Sequence, residues 1–146
     1  PLGKPNNLLP YVTQTAIGKQ AELTVFGNDY PTPDGTCIRD YIHVCDLANA
    51  HVKALSWLNT QNAGCNEQVN IGTGKGTSVL ELISAFERIS QQKLNWRFGP
   101  RRPGDVTEIF ANADKSKQLL NWEAHRSMED AVRDAWNWEL NLKEHA

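Results

Sequence analysis

Three cysteines among 146 residues, Cys37, Cys45 and Cys65, form no CxxC pair and leave one thiol over in any pairing. That pattern excludes a disulfide framework and a redox or zinc motif of the CxxC type, and makes a reducing cytosol the simplest setting. Charge of one sign is equally scarce. Fifteen basic and 17 acidic residues are dispersed along the chain for a formal net charge of −2, which gives no long-range field to gather nucleic acid or an anionic membrane. Long apolar runs are missing too. No segment approaches the ~18 consecutive apolar residues of a membrane span, and no basic stretch followed by an apolar core marks a leader. The expectation is a soluble protein whose partner is not a large polyanion.

The length is that of one domain able to bury a core without disulfides or metals. The chain opens on Pro1 rather than Met, and Pro1 to Pro5 has the composition of a connection. It therefore reads as a piece of a longer polypeptide.

Apolar spacing predicts alternating helices and strands. Leu8, Leu9, Val12 and Ile17 mark a short helix, with Asn6 and Asn7 before it, Pro10 early within it and Gly18 as its stop. Leu23 to Phe26 reads as a buried strand and Asn28 to Gly35 as a turn-rich loop. Tyr41 to Val44 reads as a brief extended stretch, after which Asp46 caps a helix with Leu47, Ala50, Ala54, Leu55 and Leu58 on one face. A strand at Gln68 to Ile71 leads into a glycine-rich turn, then a helix announced by the capping-box pair Ser78 and Glu81. Leu94 to Phe98 is a further strand. Asp114 to Leu120 and Ser127 to Leu142 close the chain as helices, the second turning Met128, Ala131, Val132, Ala135 and Trp138 inward. The class is α/β or mixed α+β, without repeats.

Gly72 to Gly76 (GTGKG) lies where a dinucleotide pyrophosphate binds in a strand-turn-helix unit. Its spacing is GxGxG rather than GxGxxG, no acidic residue ends a second strand about 20 residues on, and no GxxxxGK[ST] loop runs through Lys75. The motif reads as a tight turn. His43, His51, His125 and His145 stand in no nucleophile arrangement with serine, cysteine and carboxylate, and His43 reads as a hydrogen-bonded core imidazole. Glu129, Asp130, Asp134 and Glu139 read as a solvated helix face, and no metal site is assigned. Arg39 and the pair Arg101 and Arg102 lie on separate loops. Two guanidinium groups so placed suit a diphosphate, each offering paired N–H donors to phosphate oxygens. Ordinary ion pairing, Arg39 with Asp40 and Arg102 with Asp105, accounts for them as well.

Several strings then occur in a telling order: NNLLPY from Asn6, LTVFGNDYPTPDGTCIRDYIHVCDLANAH from Leu23, VNIGTGKGTSV from Val69, RRPGD from Arg101 and DAWNWE from Asp134. Together they resemble the C-terminal part of the UDP-glucose (UDP-galactose) 4-epimerase family, extended short-chain dehydrogenases/reductases with a Rossmann-type NAD-binding half. The resemblance implies that residues 1–146 form the C-terminal UDP-sugar-binding portion, with the segments around 41–58 and 68–89 packing on or extending an NAD-binding domain outside this chain. It further implies that Asn7 and Leu8 meet the diphosphate and sugar end of a UDP-hexose, with Asn6 adjacent, and that Thr24 and Phe26 hold uracil. Arg39 and Arg102 would neutralise the diphosphate, and Asp105 would accept from the ribose hydroxyls.

Members of that family pass a hydride from the hexose C4 to NAD and back to the other face of a 4-keto sugar, with the tyrosine of a YxxxK motif moving the hydroxyl proton. Tyr11, Tyr30 and Tyr41 are followed four residues later by Thr15, Asp34 and Cys45, so none completes that motif and no catalytic residue is expected in this chain. Ile109 stands where the family places a side chain whose bulk limits the hexose. Its size implies good turnover of UDP-glucose and UDP-galactose by the whole enzyme and poor turnover of N-acetylated sugars. The family also implies a homodimeric parent joined through helices of the cofactor domain, and a monomeric or otherwise associating fragment. Two alternatives stay open: a stand-alone nucleotide-sugar binding module, and a structural domain associating through exposed Trp122, Trp136 or Trp138.

Overall fold

A computed structural model describes residues 5–144, apart from the side chain of Glu144. Of the segment read as a connection, Pro1 to Pro5, the first four residues lie outside the described residues, as does His145 near the other end. Ten elements follow in the order α1 Leu8–Ala16, β1 Leu23–Phe26, β2 Ile38–Arg39, α2 Val44–Leu58, β3 Thr77–Ser78, α3 Val79–Ser90, β4 Trp96–Gly99, β5 Glu108–Ile109, α4 Asp114–Leu120 and α5 Met128–Glu144. The class is mixed α/β, as the alternation of patterns predicts.

The strands form two small sheets. β1 pairs with β4 in parallel, Thr24 opposite Arg97 and Phe26 opposite Gly99. In β1 the period-two alternation is clear: Leu23 and Val25 are buried, Thr24 is half-buried and Phe26 is exposed. The second sheet has the order β3-β2-β5, with Arg39 opposite Thr77 in the antiparallel pair and opposite Ile109 in the parallel one. Arg39 and Ile109 are thus fixed as cross-strand neighbours by register alone.

The main core gathers Val12, Leu23, Val25, Leu82, Ile83, Phe86, Leu94 and Val132. It sits where α1, α3 and α5 meet the β1-β4 pair. Phe86 and Trp136 close it edge to face, with ring centroids 5.4 Å apart. A smaller cluster, Ala50, Leu120 and Trp122, joins α2 to α4 and draws in the half-buried Val69 and Ile71. α3 begins with the expected capping box: the Ser78 hydroxyl accepts from the Glu81 N–H, and the Glu81 carboxylate from the Ser78 N–H. Asn7 stands at the N-cap of α1, although its side chain makes no capping bond.

Several expectations are corrected. The cap of α2 is His43, not Asp46: Nδ1 of the buried imidazole accepts from the Cys45 N–H, so its Nε2 carries the proton and faces Asp134 at 3.1 Å. Asp46 lies inside the helix's first turn, buried, where it accepts from the N–H groups of His125 and Arg126 and from the Arg126 guanidinium. Residues 68–71 form no strand, because no other strand of the described residues runs beside them. The strand expected at Tyr41 to Val44 falls instead on Ile38 and Arg39. In α5 the inward phase carries Val132 and Trp136, while Trp138 is 64% exposed. Glu139 does not belong to a solvated face. It is 4% exposed and meets Lys19 at 2.8 Å and the Thr13 hydroxyl at 3.4 Å, pinning α5 to α1. On α2, Leu55 and Leu58 remain exposed rather than joining the buried face of Ala50.

Candidate functional site: a pair of arginines on one aspartate

The cluster forms where the ends of both small sheets meet the turn 101–105. Phe26 ends β1 on the face opposite Leu23 and Val25, and its exposed ring lies under the Arg102 guanidinium, 5.4 Å from the ring centroid. Arg102 Nε and an Nη reach the Asp105 carboxylate at 3.3 and 3.4 Å. From the other sheet Arg39 sends one Nη to the same carboxylate at 3.5 Å and the other to the Ile38 carbonyl at 2.8 Å. Ile109 stands beside Arg39 in the ladder with its side chain exposed. Thr24 shares Phe26's side of β1. Its methyl lies so near Gly99 that a Cβ there would come within 2.6 Å, so glycine at 99 is a condition for this close approach.

Phe26, Arg39, Arg102 and Asp105 are therefore brought together, with Ile109 and Thr24 alongside. Asn6 and Asn7 are exposed ahead of α1, their side chains without a hydrogen bond among the described residues, and Leu8 packs on the main core. No hydrogen bond or ion pair joins these three to the arginine cluster among the described residues. Two guanidinium groups against one carboxylate leave a net positive charge. Their bonds are long: the Arg102 pair, with Arg102 more than half exposed, is of the weak surface kind, and the Arg39 pair is part-buried but stretched to 3.5 Å. An incoming polyanion would exchange against them at small cost and offer better bidentate geometry.

The expected alternative pairing of Arg39 with Asp40 does not occur. Adjacent strand residues point to opposite sides, and Asp40 turns to the glycine-rich segment. Its carboxylate accepts from the Thr73 N–H at 3.0 Å, the Thr73 hydroxyl at 2.6 Å, the Gly74 N–H at 3.3 Å and the Ala111 N–H at 3.2 Å. The protein's own carboxylate fills the place a phosphate would take in this turn, so the described residues of Gly72–Gly76 offer no cradle for a dinucleotide pyrophosphate. Only Gly74 of the three glycines has positive φ. Gly72 and Gly76 are required by contact instead: a Cβ would collide with Asp40 Oδ2 in one and with Ile38 Cγ2 in the other. Tyr41, next along, is no proton carrier at neutral pH, since burial pushes its phenol up to about 12.

Sequence reasoning missed the anchoring role of Asp40 and the partner of Arg101. Arg101 donates from Nε to Asp29 Oδ1 at 2.7 Å and from an Nη to the Asp29 carbonyl at 2.6 Å, and lies 4.2 Å above the Tyr30 ring. Apart from the cluster, an open apolar groove of about 390 Å³ runs between α2, residues 65–71 and α4, lined by Trp57, Leu58, Val69 and Leu119 among others. None of the expected site residues lines it.

The family described as GDP-mannose 4,6 dehydratase matches residues 3–135. A UDP-glucose 4-epimerase of Bacillus subtilis is 54% identical over 140 residues, 95% of this chain and 40% of that protein. A bifunctional UDP-glucose and UDP-xylose 4-epimerase of Pisum sativum is 51% identical over 97% of this chain and 40% of its own length. Among solved structures, UDP-glucose 4-epimerase from Stenotrophomonas maltophila, with bound NAD and formylated UDP-arabinopyranose, superposes with a TM-score of 0.95 at 46% identity, over 100% of this chain and 43% of that one. The enzyme from Bifidobacterium longum, in complex with NAD+ and UDP, gives 0.91 at 40% identity over the same shares. The chain spans about two fifths of the length of these relatives. With a match that runs over residues 3–135, the chain belongs to the GDP-mannose 4,6-dehydratase family, and the relatives about half identical to it are UDP-glucose 4-epimerases.

Proposed function

We propose that this chain is the C-terminal, UDP-hexose-binding part of an NAD-dependent epimerase that interconverts UDP-glucose and UDP-galactose, and that alone it catalyses nothing. The observation that carries the reading is the convergence of Arg39 and Arg102 on Asp105 beside the Phe26 ring. It combines an exchangeable cationic pair for a diphosphate, an aromatic surface for a base and a carboxylate for hydroxyl groups. On binding, the arginines turn from Asp105 to the phosphate oxygens, and Asp105 is freed to accept from the ribose. Thr24 and Phe26 hold uracil, Asn6, Asn7 and Leu8 close over the diphosphate and sugar, and Ile109 limits the hexose so that N-acetylated sugars react poorly.

The described residues do not fit NAD, because Asp40 occupies the glycine-rich turn, so the cofactor belongs to the NAD-binding domain of the parent polypeptide. That domain also accounts for α2. Val44, Val52, Leu55 and Leu58, 49 to 72% exposed, fall within an arc of about 120° at ~100° per residue. This stripe, the groove beside it and the unpaired residues 68–71 form the face on which the NAD-binding domain packs. Of the tryptophans of the alternative oligomerisation reading, Trp122 is buried and Trp136 packs on the core, which leaves Trp138 alone exposed. The parent is a cytoplasmic homodimer joined through its cofactor domain. For this chain itself, no described helix is long and apolar enough to cross a membrane.

A coupled assay on the full-length polypeptide tests the reading. UDP-galactose is converted to UDP-glucose with NAD present, and the 146-residue chain alone converts none. Activity in the isolated chain, or none in the full-length protein, overturns it.

A further inference from the structure

Two adjacent arginines on one turn use their donors in opposite ways. Arg102 holds Asp105 through bonds of 3.3 and 3.4 Å. Arg101 makes two short bonds to Asp29, one to the carboxylate and one to the carbonyl, and stacks on Tyr30. Two of its five N–H donors, on Nε and one Nη, are thus committed within the protein, and one face of the guanidinium is covered by the ring.

What Arg101 grips is firmly braced. Tyr30 is buried over Gly27, whose φ of +80° lets the chain pass beneath the ring; a Cβ there would come within 2.5 Å of Tyr30 and 3.0 Å of Arg101. The Tyr30 N–H donates to the Gly35 carbonyl at 3.0 Å, and the Thr32 hydroxyl to the Thr36 carbonyl at 2.7 Å. Asp34 accepts from the Thr36 N–H and hydroxyl at 2.9 and 2.7 Å, and from the Ser78 hydroxyl that caps α3. A continuous set of contacts therefore runs from the start of α3 through residues 28–36 to Arg101. Inside the turn carrying Arg102 and Asp105 the backbone bond is the Asp105 N–H to Arg102 carbonyl contact at 3.1 Å. Its other ties are the long Arg39–Asp105 bond, Arg102 over Phe26 and, just beyond it, the Ile38 N–H to Thr107 carbonyl bond at 2.9 Å.

We propose that Arg101 is a positioning residue, a clip that fastens the 101–105 turn to the braced 28–36 loop and thereby holds Arg102 and Asp105 where a nucleoside diphosphate can meet them. This rests on the proposed UDP-hexose site. The Arg101 guanidinium holds Asp29 below the usual carboxylate range, and Asp29 in turn raises Arg101, as expected of a pair charged together at neutral pH. The clip acts through geometry. Lysine keeps the charge but cannot bridge the Asp29 carboxylate and carbonyl while lying flat on Tyr30.

The test is a double-mutant cycle on the full-length polypeptide, reading UDP affinity by calorimetry and steady-state kinetics with UDP-galactose. Arg101→Ala and Arg101→Lys should each weaken UDP by about tenfold, in the range found for residues sharing one network. KM should rise with kcat within about twofold, as for lost uniform binding. In an Arg102→Ala background the same change should cost under about twofold. Asp29→Asn should show the same pattern at lower amplitude and guards against a misfolded Arg101 variant. Equal UDP affinity for wild type and Arg101→Ala, or losses that multiply with those of Arg102→Ala, overturns the clip while leaving the site intact. Wild-type protein that binds no UDP overturns the site and the clip together.

Discussion

Replacing Asp40 with asparagine tests how this small, irregular sheet is held. The carboxylate faces donors only: the N–H groups of Thr73, Gly74 and Ala111 and the Thr73 hydroxyl. An asparagine keeps one oxygen and presents an NH₂ to the rest, so about half of the donors lose their acceptor and face another donor. A hydrogen bond to a charged group contributes about 1.5–3 kcal/mol, and an abandoned buried partner costs about 1–3. Gly74 is exposed and its N–H can turn to water, while Thr73 and Ala111 are half-buried. The net cost of Asp40→Asn is then about 2–3 kcal/mol, a ~30- to 150-fold fall in the folded population ratio. Urea unfolding followed by tryptophan fluorescence reads this as a lower midpoint at unchanged slope. Asp40→Ala should cost at least as much. A loss under ~0.5 kcal/mol, the range of ordinary surface changes, would refute the view that this carboxylate holds the glycine-rich turn and β5 against β2.

Three further outcomes follow from packing and charge. Phe86→Ala, at a fully buried ring set edge-on to Trp136, should cost about 3–5 kcal/mol, whereas Trp138→Ser on the outer side of α5 should stay within ~0.5 in the same thermal or urea melts. Gly99→Ala should lose about 1–3 kcal/mol by driving a methyl into Thr24 Cγ2, and Thr24→Ser in the same protein should restore most of it by removing that methyl. For Asp46, burial pushes its pKa up, but the N–H groups of Arg126 and His125 and the Arg126 guanidinium outweigh it and set the folded value below the ordinary 3.8. Its stabilisation is therefore fully present above that ordinary value and disappears as pH falls through the lower folded one. The stability gap between wild type and Asp46→Asn should be widest near neutrality and narrow below about pH 4; a gap that widens on acidification contradicts this account.

Features set by neighbours in sequence were the legible ones. The Ser78 and Glu81 box, the turn-rich 28–35 loop and β1 depend on contacts within a few residues or on a two-residue alternation, and all three occur as expected. Features set by distant partners were not. Asp40 is 33 residues from Thr73 and 71 from Ala111, so nothing local marks it as the carboxylate that fills the glycine-rich turn. Adjacency suggested the pair Arg39–Asp40, but strand geometry sends the two side chains to opposite sides. In α5 the apolar spacing fits two phases. Val132, Trp136 and Glu139, spaced by four and three, define the inward one, which a count of apolar residues alone misses because Glu139 is charged. Residues 68–71 have strand composition, but composition supplies no partner strand.

The central claim, that Arg39 and Arg102 are held ready for a nucleoside diphosphate beside Phe26, is tested most directly by calorimetric titration of UDP and uridine into the full-length polypeptide and its Arg102→Ala variant. The account predicts that wild type prefers UDP to uridine by at least about tenfold and that Arg102→Ala removes most of that preference while leaving uridine affinity nearly unchanged. Equal UDP affinity in the two proteins would contradict it.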